Sequence, residues 1–123
     1  MSSMKRLQAL RRIAQIKQDI ELARLAALAA EERGIKMEQE SLREDLRSAW
    51  RVTETAPETG VVAMQFGRWV DQRQTVLAQE AARLSAQLEA QRAASVKALG
   101  RAEVMKKLME KSRNEIAALK SRG

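Results

Sequence analysis

Apolar residues recur along this chain at steps of three, four and seven. From Met4 to about Thr53, one stripe runs through Leu7, Leu10, Ile13, Ile16, Ile20, Ala23, Ala27, Ala30 and Met37. A second stripe, Leu25, Leu28, Ile35, Leu42, Leu46 and Ala49, drifts beside it. Residues three and four apart share one face of a helix, so this spacing predicts an amphipathic helix with a broad seam. A strand would need sustained alternation, and there is none. The break is Thr53-Glu54-Thr55-Ala56-Pro57-Glu58-Thr59-Gly60, where proline and glycine among threonines stop a helix and permit a reversal. Periodicity then resumes through Phe66, Val70, Leu77, Ala81, Leu84, Leu88, Ser95, Ala98, Ala102, Met105, Met109, Ser112, Ile116 and Leu119. The expectation is a single all-α coiled-coil domain over residues 1–123, with helix 1 at about 4–53, a turn at about 54–61 and helix 2 at about 62–121.

At about 1.5 Å per residue the two helices would extend roughly 75 and 90 Å, too long for a compact two-segment bundle. Their stripes need cover, either from each other or from a second chain. The fold-back is favoured because the breaker cluster lies near the midpoint, which predicts a long antiparallel two-helix coiled-coil hairpin. It would bring Trp50 near Phe66 and Trp69 and set the Ala23–Ala30 run against Leu88, Ala90, Ala93 and Ala94. An intermolecular coiled coil is the rival, but Ser95, Ser112 and the many alanines make a poor parallel-dimer seam.

Composition sharpens this picture. Aromatics are 2% of the chain and charged residues 32%, which suits a narrow seam better than a thick interior. The absence of His and Cys removes imidazole and thiol catalysis, disulfides and nearly every zinc site. No run approaches the roughly 20 apolar residues of a membrane span, and the opening lacks a signal-peptide core. A soluble protein without a transmembrane segment, at most peripheral to a membrane, is expected, and the missing cysteines are compatible with a cytoplasmic location.

The net charge of +7 is unevenly placed. Residues 5–17 hold five bases and no acid, and residues 97–122 hold eight bases and three acids, each +5. Residues 31–58 hold five bases and eight acids, or −3. In a hairpin the two basic segments would lie side by side. Such an end attracts acidic proteins, nucleic acid or anionic lipid, although a merely solvated face carries the same composition. The basic segments carry no interleaved aromatics, zinc-finger spacing or membrane anchors, which weighs against nucleic acid and lipid.

Candidate chemistry is sparse. Glu31-Glu32 and Glu44-Asp45 are adjacent on a helix and point apart, and Gly60 and Gly67 belong to no phosphate loop. No catalytic, cofactor or metal residue is expected, nor any small-molecule substrate. Met105 and Met109 fit the seam. Phe66, Trp69 and Val70 fall on both sides of early helix 2, so the seam cannot bury them all. They form either a binding hot spot or, with Trp50, a plug beside the turn.

Three segments then carry a resemblance: the opening Met4-Lys5-Arg6-Leu7-Gln8-Ala9-Leu10-Arg11-Arg12-Ile13, the midpoint loop followed by Gln65-Phe66, and the late basic run from Arg101 to Lys111. In these, and in length and layout, the chain resembles FliJ-type proteins, the central-stalk family of flagellar and type III secretion export ATPases. The resemblance implies a non-enzymatic hairpin seated in the pore of a hexameric export ATPase and linking it to the membrane export gate. It assigns ring contact to Lys5, Arg6, Arg11, Arg12, Lys106, Lys107 and Lys111. It assigns gate contact to Phe66, Trp69, Val70 and Leu77, while the polar position that follows in some members has no match here. The alternative is a coiled-coil scaffold or chaperone-like adaptor. A prefoldin-type subunit has similar length, but its helices are joined by β-hairpins, for which this loop is too short.

Overall fold

The computed structural model describes residues 3–122, and these are almost wholly helical. Helix α1 spans Ser3–Thr55, a 3-10 turn spans Pro57–Thr59, and helix α2 spans Gly60–Arg122. The two helices pack against each other. Both run slightly beyond the sequence-based bounds, because the reversal itself needs very little chain. Ala56 is the one residue between α1 and the turn, at φ −136° and ψ 78°. A residue before proline is driven from the α region by the ring, so Pro57 ends α1 through its neighbour. Gly60 adopts ordinary helical angles, φ −59° and ψ −36°, so the reversal draws on no left-handed glycine.

Contacts divide the chain into two units, each containing a length of both helices. Unit 2 is Ala27–Leu88 and includes the turn. Its inward positions on α1 are Leu28, Glu32, Ile35, Gln39, Leu42, Leu46, Ala49 and Thr53. On α2 they are Ala63, Gly67, Val70, Gln74, Leu77, Ala81, Leu84 and Leu88, with Phe66 and Arg73 at the flank. Steps of three and four alternate on both helices, the spacing that keeps one seam facing a partner helix. Leu42, Val70 and Leu77 form the buried cluster, with Ile35, Leu46 and Phe66 against it. Leu77 is fully buried, and each such side chain contributes about 1.5–3 kcal/mol.

Polar groups fix the pairing in unit 2. The Arg73 guanidinium donates to both carboxylate oxygens of Glu38, at 3.0 and 3.1 Å. The Gln74 amide donates to the carbonyl of Gln39 at 2.9 Å. At the turn the hydroxyls of Thr53 and Thr59 meet at 3.1 Å, while Thr59 also donates to the carbonyl of Ala56 at 2.7 Å. The backbone N–H of Ala56 donates to the carbonyl of Val52 at 2.9 Å, closing the last turn of α1.

Unit 1 is Met1–Ala26 with Glu89–Gly123, of which residues 3–26 and 89–122 are described. Its inward positions are Leu7, Ala14, Gln18, Glu21 and Leu25 on α1, and Gln91, Ser95, Ala98, Ala102, Met105, Met109 and Ser112 on α2. Among these positions Ala14, Ser95, Ala98 and Met109 are buried, so three of the four buried side chains are small. Gln91 donates to the carbonyl and the carboxylate of Glu21, and the Ser95 hydroxyl reaches the same carbonyl at 3.4 Å.

This corrects the reading of the first stripe. Leu10, Ile13, Ile16 and Ile20 are about half exposed, Ala23, Ala27 and Ala30 are exposed, and Met37 is 69% exposed. From Leu25 onward the second stripe lies in the seam, and of the first stripe Leu7 alone is an inward position. In unit 1 the side chains of α2 hydrogen-bond Glu21, which turns its face inward and leaves Ile13 and Ile20 outside. The helix 2 stripe is inward through Ser112, whereas Ile116 and Leu119 are exposed. Of the alanines expected to pack together, Ala90 and Ala93 are exposed as well.

The two stripes differ in what truncation should cost. Leu77→Ala should lower the unfolding free energy in urea by about 2–5 kcal/mol. Met37→Ala should stay within about 0.5 kcal/mol of wild type. Equal losses, followed by far-UV circular dichroism, would put the seam elsewhere.

Candidate interaction surfaces

What the described residues of each unit offer for recognition is surface. Unit 1 holds fifteen Lys and Arg against six Asp and Glu, a balance of +9. Unit 2 holds eight against ten, a balance of −2. All the residues expected at a ring contact, Lys5, Arg6, Arg11, Arg12, Lys106, Lys107 and Lys111, are exposed and belong to unit 1. Arg11 and Arg12 line one groove with Gln8, Gln15, Ile16, Met109 and Arg113. Arg113 was not singled out by sequence, although it lies in the basic segment 97–122, two residues beyond Lys111. Lys106, Lys107 and Lys111 do not line this groove.

The charge in unit 1 is largely uncompensated. Arg24 pairs with Glu21 at 3.2 Å. Arg11, Arg12, Lys106, Lys107, Lys111 and Arg113 make no ion pair among the described residues. Unit 2 neutralises more of its charge, through Lys36–Glu32, Arg47–Glu44, Arg51–Glu44 and Arg73–Glu38.

Unit 2 instead exposes apolar side chains beside the turn. Val52, Val61, Val62 and Met64 are about half to two-thirds exposed. Phe66 and Trp69 stack with ring centres 5.8 Å apart and planes 20° from parallel. Trp69 is 52% exposed while Phe66 is half-buried. A shallow apolar groove lies between Ala49, Val52, Thr59, Val62, Ala63 and Phe66. Trp50 stands outside the stacked pair and borders a groove along α1 with Arg43, Arg47, Arg51 and Glu54.

Two of the four expected gate residues are corrected by burial. Val70 is 3% and Leu77 0% exposed, so both serve the seam and present no surface. Trp69 is exposed and Phe66 half-buried, beside the exposed Val52, Val61 and Val62, which the stripe analysis passed over. The signal was the Val61-Val62 pair directly after the turn, outside the seam spacing.

No helix of the described residues is long and apolar enough to cross a membrane. No protein-family model, curated protein or solved structure matches the chain.

Crowding three arginines at one groove sets up repulsion that salt should relieve. The thermal midpoint should rise as salt goes from about 0.02 to about 0.5 M, where screening shortens to a few ångströms. In an Arg11→Gln, Arg12→Gln, Arg113→Gln variant the rise should shrink. An identical salt response in both proteins would show that these charges do not oppose one another.

Proposed function

We propose that this protein is a non-enzymatic stalk or linker of the FliJ type, acting in a flagellar or type III export apparatus. In this reading each unit is a stretch of antiparallel coiled coil. The pairings Glu38 with Arg73, Gln39 with Gln74 and Thr53 with Thr59 support that in unit 2, as does Glu21 with Gln91 in unit 1. Unit 1 engages the acidic interior of a hexameric export ATPase, and the Phe66–Trp69 surface of unit 2 contacts the membrane export gate.

The observation that carries the proposal is the assignment of two kinds of surface to two units. A linker needs two independent contacts of different chemistry. Unit 1 supplies a long-range electrostatic one, which speeds encounter and weakens with salt. Unit 2 supplies a short-range apolar one, with an aromatic pair of the kind that anchors interfaces.

The first test is turnover and hexamerisation of the export ATPase from the same cell, with and without this protein, at physiological salt. Stimulation should disappear when Arg11, Arg12, Lys106 and Lys107 are changed to Gln with helicity intact. Trp69→Ala should leave stimulation in place and weaken gate binding by about tenfold or more, the usual effect of removing an aromatic anchor. No binding and no change in turnover sinks the stalk reading for that ATPase and leaves a coiled-coil adaptor.

A further inference from the structure

Unit 1 has a second groove, distinct from the arginine-lined one. It lies between Leu10, Ile13 and Lys17 of α1 and Arg101, Val104 and Met105 of α2, over Ala14. Leu10, Ile13 and Val104 are each at least half exposed, so a substantial apolar surface there has no cover. The spacing extends it in both directions. On α1 the line one step off the seam reads Arg6, Leu10, Ile13, Lys17, Ile20, Arg24. On α2 it reads Lys97, Arg101, Val104, Leu108, Lys111. Every residue on both lines is exposed, and each line consists of apolar and cationic side chains with no acid. The acids Glu89, Glu103 and Glu110 fall on another line of α2, seven or fourteen residues apart.

We infer that this groove is a docking site for an acidic amphipathic helix of a partner protein. A groove between two packed helices is the shape that receives a third helix, whose apolar residues at steps of three and four enter it. Cations on both walls then select a helix carrying Asp and Glu beside its apolar stripe. Lys17 and Arg101 have no ion pair among the described residues, so their charge is available to such a helix. Nucleic acid would take the cations but leave Leu10, Ile13 and Val104 without a role. A bilayer surface favours a convex apolar face with aromatic anchors, and this face is concave and has none. Two copies of this face would bring cation against cation. The inference concerns unit 1 alone and stands whether or not the partner is an ATPase.

The test uses the full chain and two synthetic amphipathic peptides of about 21 residues, three heptads each. Both carry Leu at the seam positions; one has Glu and the other Lys at the flanking positions. Calorimetric titration at physiological ionic strength should show saturable one-to-one binding of the Glu peptide, at least about tenfold tighter than the Lys peptide. The pair Ile13→Glu with Val104→Glu, both exposed and so compatible with folding, should abolish that preference while helicity is retained. Ile13→Val with Val104→Ile should keep it. Equal affinity for the two peptides, binding of neither, or binding indifferent to Ile13 and Val104 overturns the inference. So does capture of anionic phospholipid vesicles, or self-association in sedimentation, that depends on these residues while the Glu peptide is ignored.

Discussion

A pair of helices can bury only one seam. Each helix gives it two residues per heptad, and no third layer receives the rest. Helix α1 carries more apolar residues than that seam accepts, so some must face water whichever face turns inward. In unit 2 the seam takes the large leucines, and Leu42, Val70 and Leu77 close into a cluster. In unit 1 it takes Ala14, Ser95 and Ala98, and the bulkier Leu10, Ile13 and Ile20 are left outside. The surfaces available for binding follow from what the seam leaves uncovered.

Charge follows the same division. Unit 2 ties four of its eight cations into pairs, including the two-pronged Arg73–Glu38 contact. At partly exposed positions such a pair contributes at most about 1 kcal/mol, so it orients more than it stabilises. In unit 1 Arg24 pairs with Glu21, whereas Arg11, Arg12, Lys106, Lys107, Lys111 and Arg113 make no ion pair among the described residues.

The seam of helix α2 was legible because a mostly apolar line at steps of three, four and seven runs unbroken from Phe66 to Ser112. The break was legible because Pro57 dictates the conformation of Ala56. The seam of α1 was harder to read. Its two stripes are both compatible with a helix, and the inward one passes through Gln18, Glu21, Glu32 and Gln39, which no hydrophobic pattern would select. Two of them accept hydrogen bonds across the pair, Gln39 through its backbone carbonyl from Gln74, and Glu21 through its carbonyl and carboxylate from Gln91. Val70 and Leu77 illustrate the converse, since a surface role implied by resemblance met a spacing that already placed them in the seam. The clustering of Arg113 with Arg11 and Arg12 depends on which residues of α1 and α2 meet, and composition does not record that.

The short turn has a further consequence. Glu31, Glu38 and Asp45 lie seven residues apart on α1, so Arg73 would meet a carboxylate at any of three alignments one heptad apart. Gln74 is equally undiscriminating, because every turn of a helix presents a carbonyl. These polar contacts therefore hold an alignment once it is chosen but cannot choose it. The choice falls to Pro57–Thr59, with Ala56 before it and the two threonine hydroxyls clasped across it. So short a connection has no slack to pay out, and it serves the unit as a length standard against which every later pairing is measured.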